Sequence, residues 1–116
     1  MSNVFFTDEQ RVVLLANGRE SQQNPDFDPV PVVKLLTPGA GATWLLSEID
    51  PDDHDHAFGL CDLGLGMPEL GWIRLSELAS VRGRLRLPVE CDLHFRAEKR
   101  LSAYVRDARL AGRIIV

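Results

Sequence analysis

The chain has 116 residues, of which 45% are hydrophobic and 26% are charged, and its formal net charge at pH 7 is −4. This size and balance are typical of one globular domain with an ordinary core that needs no disulfide to fold. They exclude a membrane-spanning class, because no apolar run approaches the roughly 20 residues that cross a bilayer.

Two features bear on the cellular compartment, the cysteines and the N-terminus. Cys61 and Cys91 both fall in apolar runs, so we expect buried thiols; a disulfide or a reactive pair is the alternative. The absence of a Cys-x-x-Cys pair excludes a zinc ribbon. The first residues lack the basic start and the long apolar stretch of a secretory signal, so we expect a cytoplasmic protein.

The first predicted element is a helix over residues 8–16. Thr7 begins a capping box, and the acidic residues that follow it favour a helix N-terminus. Asn17 followed by Gly18 predicts a left-handed stop. Residues 19–31 are rich in proline and poor in large apolar side chains, which predicts a loop.

Turn residues bound the four extended segments that come next, 32–36, 43–49, 57–63 and 71–75. Connections of a few residues between them predict an antiparallel meander. The third segment is apolar on both faces, which predicts a central strand. Ser76 is then the predicted cap of a single helical turn that ends at Val81.

Residues 84–96 alternate without exception between polar and apolar side chains. A period of two predicts an extended segment with one face on the core and the other in water. The apolar positions expected on the core face are Leu85, Leu87, Val89, Cys91, Leu93 and Phe95. Pro88 cannot donate to a ladder, so it predicts an edge strand or a break at that position.

The last predicted element is a helix that begins at Leu101. Its apolar positions recur at the helical period and form one stripe with Tyr104, Val105, Ala108 and Gly112. Arg106 and Arg109 lie together beside this stripe, and Leu110 points nearly opposite to it.

Together the elements predict an α+β fold, with a mostly antiparallel sheet of about four to five strands and with an N-terminal and a C-terminal helix. Residues 1–116 form a single domain in this prediction. Residues 1–30 hold the N-terminal helix and loop, and residues 31–116 hold the remaining elements.

The densest polar cluster lies between residues 50 and 56 and holds four aspartates and two histidines. His54 and His56 stand on either side of Asp55 and are candidate ligands of a divalent metal ion. Two ligands at this spacing bind weakly by themselves, and no third ligand is identifiable. A solvated hairpin turn is the simpler interpretation, because Asp-Pro begins the cluster and apolar residues are lacking.

Residues 58–71 are rich in glycine, and three of the glycines follow the predicted strand over 57–63. Gly64 and Gly66 resemble a phosphate-cradling turn, but Glu69 occupies the position of the third glycine in a dinucleotide fingerprint. Pro68 also blocks an immediate helix. Glycines that take positive φ at a sharp corner explain the run without a ligand.

Asp62, Glu69 and Trp72 form a candidate functional corner around this run. Asp62 ends an apolar row, where a carboxylate needs a polar partner. It is an acid–base group, one half of a buried salt bridge, or a corner carboxylate bonded to turn amides. Glu69 forms a dyad with it only if the corner folds back. We expect Trp72, like Trp44, to pack in the core, with an aromatic binding surface as the alternative.

Basic residues are concentrated in the second half of the chain, since residues 1–64 carry a net charge of −8 and residues 65–116 carry +4. Either a basic face meets an anionic partner, or the two parts neutralise each other in the fold. Arginine suits phosphate, but the acidic total and the few exposed aromatics give little support for nucleic-acid binding. The candidate partner-binding residues are Arg84, Arg86, His94, Arg96, Arg106 and Arg109.

Several separated stretches resemble one bacterial family, the domain of unknown function numbered twenty-nine fifty-eight: residues 31–38, 41–48, 58–64, 68–71 and 92–95. The likeness extends from about residue 31 to residue 116, and the motifs agree in order. The family is found on plasmids, phages and integrative elements, so the resemblance implies an accessory protein of a mobile element. It implies no catalytic residue, because none is established for the family.

We therefore expect a small non-enzymatic protein that binds a macromolecule, in the first place another protein, without a cofactor or a membrane partner. A metal-dependent hydrolase is the first alternative, and it would use His54, His56, Asp62 and Glu69. Nucleic-acid binding is the second alternative. The sequence assigns no catalytic residue and leaves the oligomeric state open.

Overall fold

The computed structural model describes residues 5–39, 41–82 and 85–116. These ranges form three helices and five strands: α1 (Asp8–Gln23), β1 (Val33–Leu36), β2 (Thr43–Asp50), β3 (Asp53–Asp62), β4 (Glu69–Arg74), α2 (Leu75–Ser80), β5 (Glu90–Cys91) and α3 (Leu101–Ala111). The strands form one sheet in the order β4-β3-β2-β1-β5, and every neighbouring pair is antiparallel. The predicted α+β fold with an N-terminal and a C-terminal helix is confirmed.

The sheet is covered on both faces, and each face has its own hydrophobic core. Helices α1 and α2 cover one face, the α1 face, where Leu14, Leu35 and Trp44 are buried. Helix α3 covers the other, the α3 face, where Leu45 and Leu60 are buried. Successive strand residues point to opposite faces, so Trp44 and Leu45 serve different cores. This arrangement explains why six consecutive residues of β2 are buried, without alternation.

Helix α1 begins at the predicted capping box and continues past its predicted end. The Thr7 side chain accepts a hydrogen bond from the Gln10 N–H at 3.1 Å, and the Gln10 side chain accepts one from the Thr7 N–H at 2.9 Å. The helix runs on to Gln23, so the predicted stop at Asn17 and Gly18 is wrong.

Asn17 and Gly18 hold α1 against β2. The Asn17 side-chain amide donates a hydrogen bond to the Ser47 carbonyl oxygen at 2.9 Å. A Cβ atom added to Gly18 would lie only 1.9 Å from the carbonyl oxygen of Ile49. Glycine is therefore needed here because the helix backbone approaches the strand closely.

The turn between β2 and β3 is shorter than predicted. Only Pro51 and Asp52 lie between the two strands; Asp50 ends β2, and residues 53–56 of the predicted polar turn belong to β3. Arg74 of β4 lies 3.5 Å from Asp53 and 3.8 Å from Asp55. These ion pairs between neighbouring strands favour extended backbone where the composition alone indicates a solvated turn.

The alternating segment over 84–96 is not the long strand that its pattern predicts. Among the described residues of this segment, only Glu90 and Cys91 form a strand, and this strand pairs with β1 at the edge of the sheet. Leu85 and Leu93 are 59% and 72% exposed, so the prediction of a continuous core face is wrong.

Two local features break the alternating segment. Pro88 has no N–H to donate, and the strand begins only after it, at the edge position that a proline predicts. After the strand, the Asp92 carboxylate accepts a hydrogen bond from the His94 N–H at 2.9 Å and forms a turn. The polar and apolar pattern therefore continues through backbone that no longer follows the sheet.

Helices α2 and α3 are each capped by an aspartate that is distant in the sequence. Asp55 on β3 accepts hydrogen bonds from the N–H and the hydroxyl of Ser76, at 2.9 and 2.7 Å. Asp28, in the loop after α1, accepts the N–H of Ser102 at 3.1 Å and also its hydroxyl. The prediction that Ser76 caps α2 is wrong, because Ser76 lies inside the helix and receives the cap.

Helix α3 has the predicted amphipathic character. Its buried residues are Leu101, Tyr104, Val105 and Ala108. Leu110 points away from them and is 84% exposed. Gly112 does not extend the stripe but ends the helix in the left-handed conformation, with φ 75°. No helix in the described ranges combines the length and apolarity that crossing a membrane requires.

The two cysteines are free and half-buried. The strand register runs from Cys61 to Trp44, then to Leu35, and then to Cys91. Three strand spacings therefore separate the thiols by about 14 Å, whereas a disulfide needs Cα atoms within about 7 Å. Burial raises the pKa of the Cys61 thiol to about 11, which disfavours the reactive thiolate.

Candidate functional site

Strand β4 is the outermost strand of the sheet on the side away from β5. It pairs with β3, and no described residue pairs with its other side. The charged residues Glu69 and Arg74 stand only at its two ends, and the four residues between them are uncharged. An edge of this kind presents unpaired N–H and C=O groups that another chain can use.

The outward-facing aromatic residue of this edge is Trp72. Its ring lies 5.2 Å from that of Phe58 and 5.7 Å from that of His56, and the side chain is 49% exposed. Leu70 lies two positions earlier on the same face and is 40% exposed. The expectation of core packing holds for Trp44, which is buried, whereas Trp72 has the exposure of the alternative, an aromatic binding surface.

Two open grooves adjoin Leu70 and meet each other. One has a volume of about 460 Å³ and is lined by Leu70, Ser102, Val105, Arg106, Arg109 and Leu110. The other has a volume of about 420 Å³ and is lined by Gly66, Met67, Pro68, Glu69, Leu70 and Arg109. Because Leu70 and Arg109 line both grooves, the surface is continuous. We call it the β4 edge surface and define it by Met67, Leu70, Trp72, Arg106, Arg109 and Leu110.

The β4 edge surface is apolar, and its border has a net positive charge, because Arg106 and Arg109 stand there with the one carboxylate of Glu69. The Arg109 side chain makes no hydrogen bond or ion pair with any described residue. Arg106 lies 3.3 Å from Asp107, but its own side chain is 69% exposed. Asp107 also accepts a hydrogen bond from Lys99, the main reason that its pKa is lowered, so its charge is shared between two cations. Both arginines can therefore bind a carboxylate.

Hydrogen bonds to the Asp62 carboxylate stabilise the glycine-rich corner between β3 and β4. Its side chain is buried and accepts two backbone hydrogen bonds, from Gly64 at 2.8 Å and from Ile114 at 2.9 Å. Gly64 and Gly66 take positive φ values of 80° and 84°. The geometry matches the interpretation of a corner carboxylate bonded to turn amides, and it also ties the residues after α3 to the corner.

Asp62 and Glu69 do not converge. Glu69 pairs with Cys61, and directly paired residues point to the same face of a sheet. Asp62 follows Cys61 and therefore points to the opposite face. Glu69 is exposed at the β4 edge, so its structural neighbours are Leu70 and Arg109 and not the other carboxylate.

The two candidate metal-ligating histidines have different neighbours. The guanidinium of Arg11 lies 3.4 Å from the Nδ1 atom of His54. His56 stacks against Trp72 and lies 3.9 Å from Asp53. In residues 5–39, 41–82 and 85–116, no three or more histidine, cysteine, aspartate or glutamate side chains are arranged to hold a metal ion.

The candidate partner-binding residues divide between the two edges of the sheet. Arg106 and Arg109 border β4, whereas His94 and Arg96 follow β5 and line a polar groove beside Lys34. Four strand spacings, about 19 Å, separate β4 from β5.

The remaining two candidates precede β5. Arg86 is exposed in this loop, and Arg84 lies outside the described residues. The described members of the set therefore do not form one basic face.

The sequence predicts the exposure of only one of three apolar residues in the β4 edge surface. Leu110 is predicted to be exposed, because it points away from the buried stripe of α3. The exposure of Met67 and Leu70 is not predicted, since the burial of an apolar residue in a strand or corner depends on whether another element lies beyond it. The sequence cannot show that the sheet ends at β4.

Comparison with known proteins identifies one family. A family model described as "Protein of unknown function (DUF2958)" matches residues 5–115. No curated protein and no solved structure matches the chain significantly. The match covers every element of the described fold, including helix α1.

Proposed function

The chain belongs to the DUF2958 family, and we propose that it is a non-enzymatic accessory protein that recognises another protein through the β4 edge surface. We further propose that it acts in the cytoplasm, in the service of a plasmid, phage or integrative element. One observation carries the proposal: Leu70 of the unpaired strand β4 and the exposed Leu110 of α3 line one groove, and the exposed Trp72 lies two positions from Leu70 on the same face of β4.

The composition of this surface supports protein recognition. Soluble monomers rarely expose large contiguous apolar patches unless the patch binds something. Tryptophan and arginine are enriched among the residues that dominate binding energy, and this surface holds Trp72, Arg106 and Arg109. Full burial of one large apolar side chain contributes about 1.5–3 kcal/mol, so covering Trp72 and Leu110 is a substantial gain.

The test compares two aspartate substitutions in the full chain. Leu110→Asp places a charge in the surface, and Val12→Asp places the same charge at a position of α1 that is also exposed, at 66%. The tagged chain and both variants are used to capture partners from the host lysate, followed by quantitative mass spectrometry. We expect Leu110→Asp to reduce recovery of the specific partner at least tenfold and Val12→Asp to retain it.

The control for this test is the fold itself. Both variants should keep the circular dichroism spectrum and unfolding midpoint of the natural chain, because both positions are exposed on helices. A folded Leu110→Asp variant that recovers the same partners in the same amounts contradicts the proposal.

Neither alternative function has an observation in its favour. A metal-dependent hydrolase needs converging ligands, but His54 and His56 have different neighbours and Asp62 is used by two backbone amides. Nucleic-acid binding needs a continuous basic face, and the described arginines divide between two edges. Calorimetry with zinc, manganese and magnesium, and a gel shift at low salt, test these alternatives directly.

A further inference from the structure

We infer that the β4 edge surface binds an extended segment of the partner as an additional strand, and that this segment carries an apolar and an acidic side chain two positions apart. The inference rests on the proposed function and specifies its binding mode. Strand addition to an exposed edge takes its affinity from main-chain hydrogen bonds and its specificity from pockets for alternate side chains.

The geometry beside β4 provides both requirements. The outer side of β4 is unpaired, and the uncharged residues between Glu69 and Arg74 offer a template about 13 Å long. An added strand would lie about 4.8 Å from β4. Its side chains on the α3 face would contact Leu70, Trp72 and the outer residues of α3. Strand β4 thus forms one wall of the binding groove, and α3 forms the other.

The groove selects the side chains of the segment. The wall formed by Leu70, Val105 and Leu110 is apolar and accepts an apolar side chain. Arg109, which has no described partner, and the exposed Arg106 stand at its border. A planar guanidinium binds a carboxylate with two hydrogen bonds, so the next side chain on this face is acidic.

The opposite side of the edge accepts a large side chain. Gly71 lies on the α1 face of β4, and a Cβ atom added there would meet nothing within 4 Å. This open space is available to a bulky side chain on a neighbouring strand, which would cover the exposed glycine. The segment can therefore be apolar on this side as well.

A second copy of the chain fits this edge less well than an acidic segment. Antiparallel pairing of two β4 strands requires a two-fold axis perpendicular to the sheet, which places both α3 helices on the same side. This pairing would set the Glu69 end of each β4 strand against the Arg74 end of the other, but it would also place Arg106 and Arg109 of both copies on the same side of the sheet, where like charges oppose each other. The positive border therefore favours a partner of negative charge.

The experiment begins with a display library of random eight-residue peptides, selected on the immobilised full chain. We expect the enriched peptides to carry an apolar and an acidic residue two positions apart. The most enriched peptide is then synthesised in two forms that carry N-methyl groups on alternate amides. In a strand added to β4, one alternate set of amides points to the edge and the other to solvent. We expect one form to lose at least tenfold in affinity and the other to change less than twofold.

Two charge reversals provide the matched control. Arg109→Glu alters the groove, and Arg19→Glu makes the same change at an exposed position of α1, on the other side of the sheet. Fluorescence anisotropy with the enriched peptide should show at least a tenfold loss for Arg109→Glu and less than a twofold loss for Arg19→Glu.

Several results overturn the inference. These are no enrichment above the bare support, enriched peptides without acidic residues, equal binding of the two methylated forms, or a chain that is a dimer through β4 by light scattering. If host partners depend on Leu110 while the methylated forms bind equally, strand addition fails and the proposed function stands. If host partners do not depend on Leu110, the proposed function fails.

Discussion

At the scale of single residues, Asp62 is the side chain on which the corner and the C-terminal tail both depend. Its two carboxylate oxygens bond to Gly64 and Ile114, which are 50 positions apart in the sequence. Hydrogen bonds to a charged group contribute roughly 1.5–3 kcal/mol each, and their loss also leaves backbone N–H groups without a partner. A buried carboxylate in this family member is therefore explained without catalysis.

The first prediction concerns this carboxylate. We expect Asp62→Ala to reduce the free energy of unfolding by about 3 kcal/mol, because both backbone N–H groups lose their acceptor. Urea denaturation followed by circular dichroism measures the change. Glu69→Ala removes a carboxylate that is exposed on the opposite face, and it should change the free energy by less than about 0.5 kcal/mol. Equal effects of the two substitutions would contradict the assignment.

Glu48 is a second buried carboxyl group, on β2 beneath α1. Burial raises its pKa above the ordinary value of 4.5; a hydrogen bond from Ser21 opposes this shift, and the nearby charge of Asp50 adds to it. The folded chain therefore binds this proton more tightly than the unfolded chain does. The corresponding stability is fully present below pH 4.5 and is lost as the pH rises through the raised pKa.

The second prediction follows from this sign. Glu48→Gln keeps the shape of the side chain but carries no charge at any pH, so its advantage over the natural chain should be larger at pH 7 than at pH 4. Urea denaturation at the two pH values measures it. Glu20→Gln, at an exposed position of α1, is the matched control and should show no such difference. If the stability of Glu48→Gln relative to the natural chain were the same at both pH values, burial would not be the cause of the shift.

At the scale of elements, the sequence predicts the features that depend on neighbouring residues and misses those that depend on contacts distant in the chain. The capping box at Thr7, the buried stripe of α3 and the limits of the first strands depend on neighbouring residues, and the sequence predicts them correctly. The aspartate caps of α2 and α3 come from Asp55 and Asp28, far along the chain, and no local pattern indicates them. The long strand predicted over residues 84–96 is wrong, because alternating polar and apolar residues indicate which side chains are buried only where the segment belongs to a sheet.

Gly18 is a single residue whose role depends on a contact distant in the sequence. An Asn-Gly pair ends many helices, and this pair would do so if α1 stood alone. Here the glycine meets the backbone of β2 so closely that a side chain does not fit. The candidate site has the same dependence, since the exposure of Leu70 and Trp72 follows from the position of β4 in the sheet and not from its residues.

The third prediction tests the contact between α1 and β2. In an isolated helix Gly18→Ala would be stabilising by about 1 kcal/mol. In this fold the new Cβ atom would lie 1.9 Å from the Ile49 oxygen, so the helix must move away from β2. We expect a net loss of about 2 kcal/mol in the free energy of unfolding, because so short a contact belongs at the upper end of the overpacking cost, roughly 1–3 kcal/mol, and the helix gain offsets about 1 kcal/mol of it.

The control for Gly18 is Gly71. A Cβ atom there has no neighbour within 4 Å, so Gly71→Ala should be nearly neutral in thermal unfolding. A more stable Gly18→Ala chain would mean that the helix does not pack as closely as described.

At the scale of the whole molecule, the basic residues of the second half of the sequence are distributed over separate surfaces. The basic second half does not form one surface, because β4 and β5 stand at opposite edges of the sheet with the acidic hairpin of β2 and β3 between them. Each edge therefore has its own groove and its own cations. Among the described residues, the β5 edge also exposes apolar side chains such as Leu87 and Leu93, but its strand has two residues, whereas β4 offers an unpaired strand of six.

The fourth prediction compares the two edges. The double variant Arg106→Ala and Arg109→Ala should reduce partner capture at least tenfold and leave the urea midpoint unchanged, because both side chains are exposed on α3. The double variant His94→Ala and Arg96→Ala removes the same number of candidate residues at the other edge and should retain the partner. Quantitative mass spectrometry of captured proteins measures both. If only the second variant lost the partner, the β5 edge and not the β4 edge would be the binding site.

The cap that Asp28 provides for α3 bears on the order in which the elements fold. The bonded residues are 74 positions apart, and contacts across such a span form late, because the entropy of closing the loop must be overcome first. We therefore expect the meander of β1 to β4 to assemble before α3 docks. Since α3 is one wall of the groove, a nascent or half-folded chain would have the exposed edge without its selectivity. Recognition would begin only after α3 has docked on the sheet.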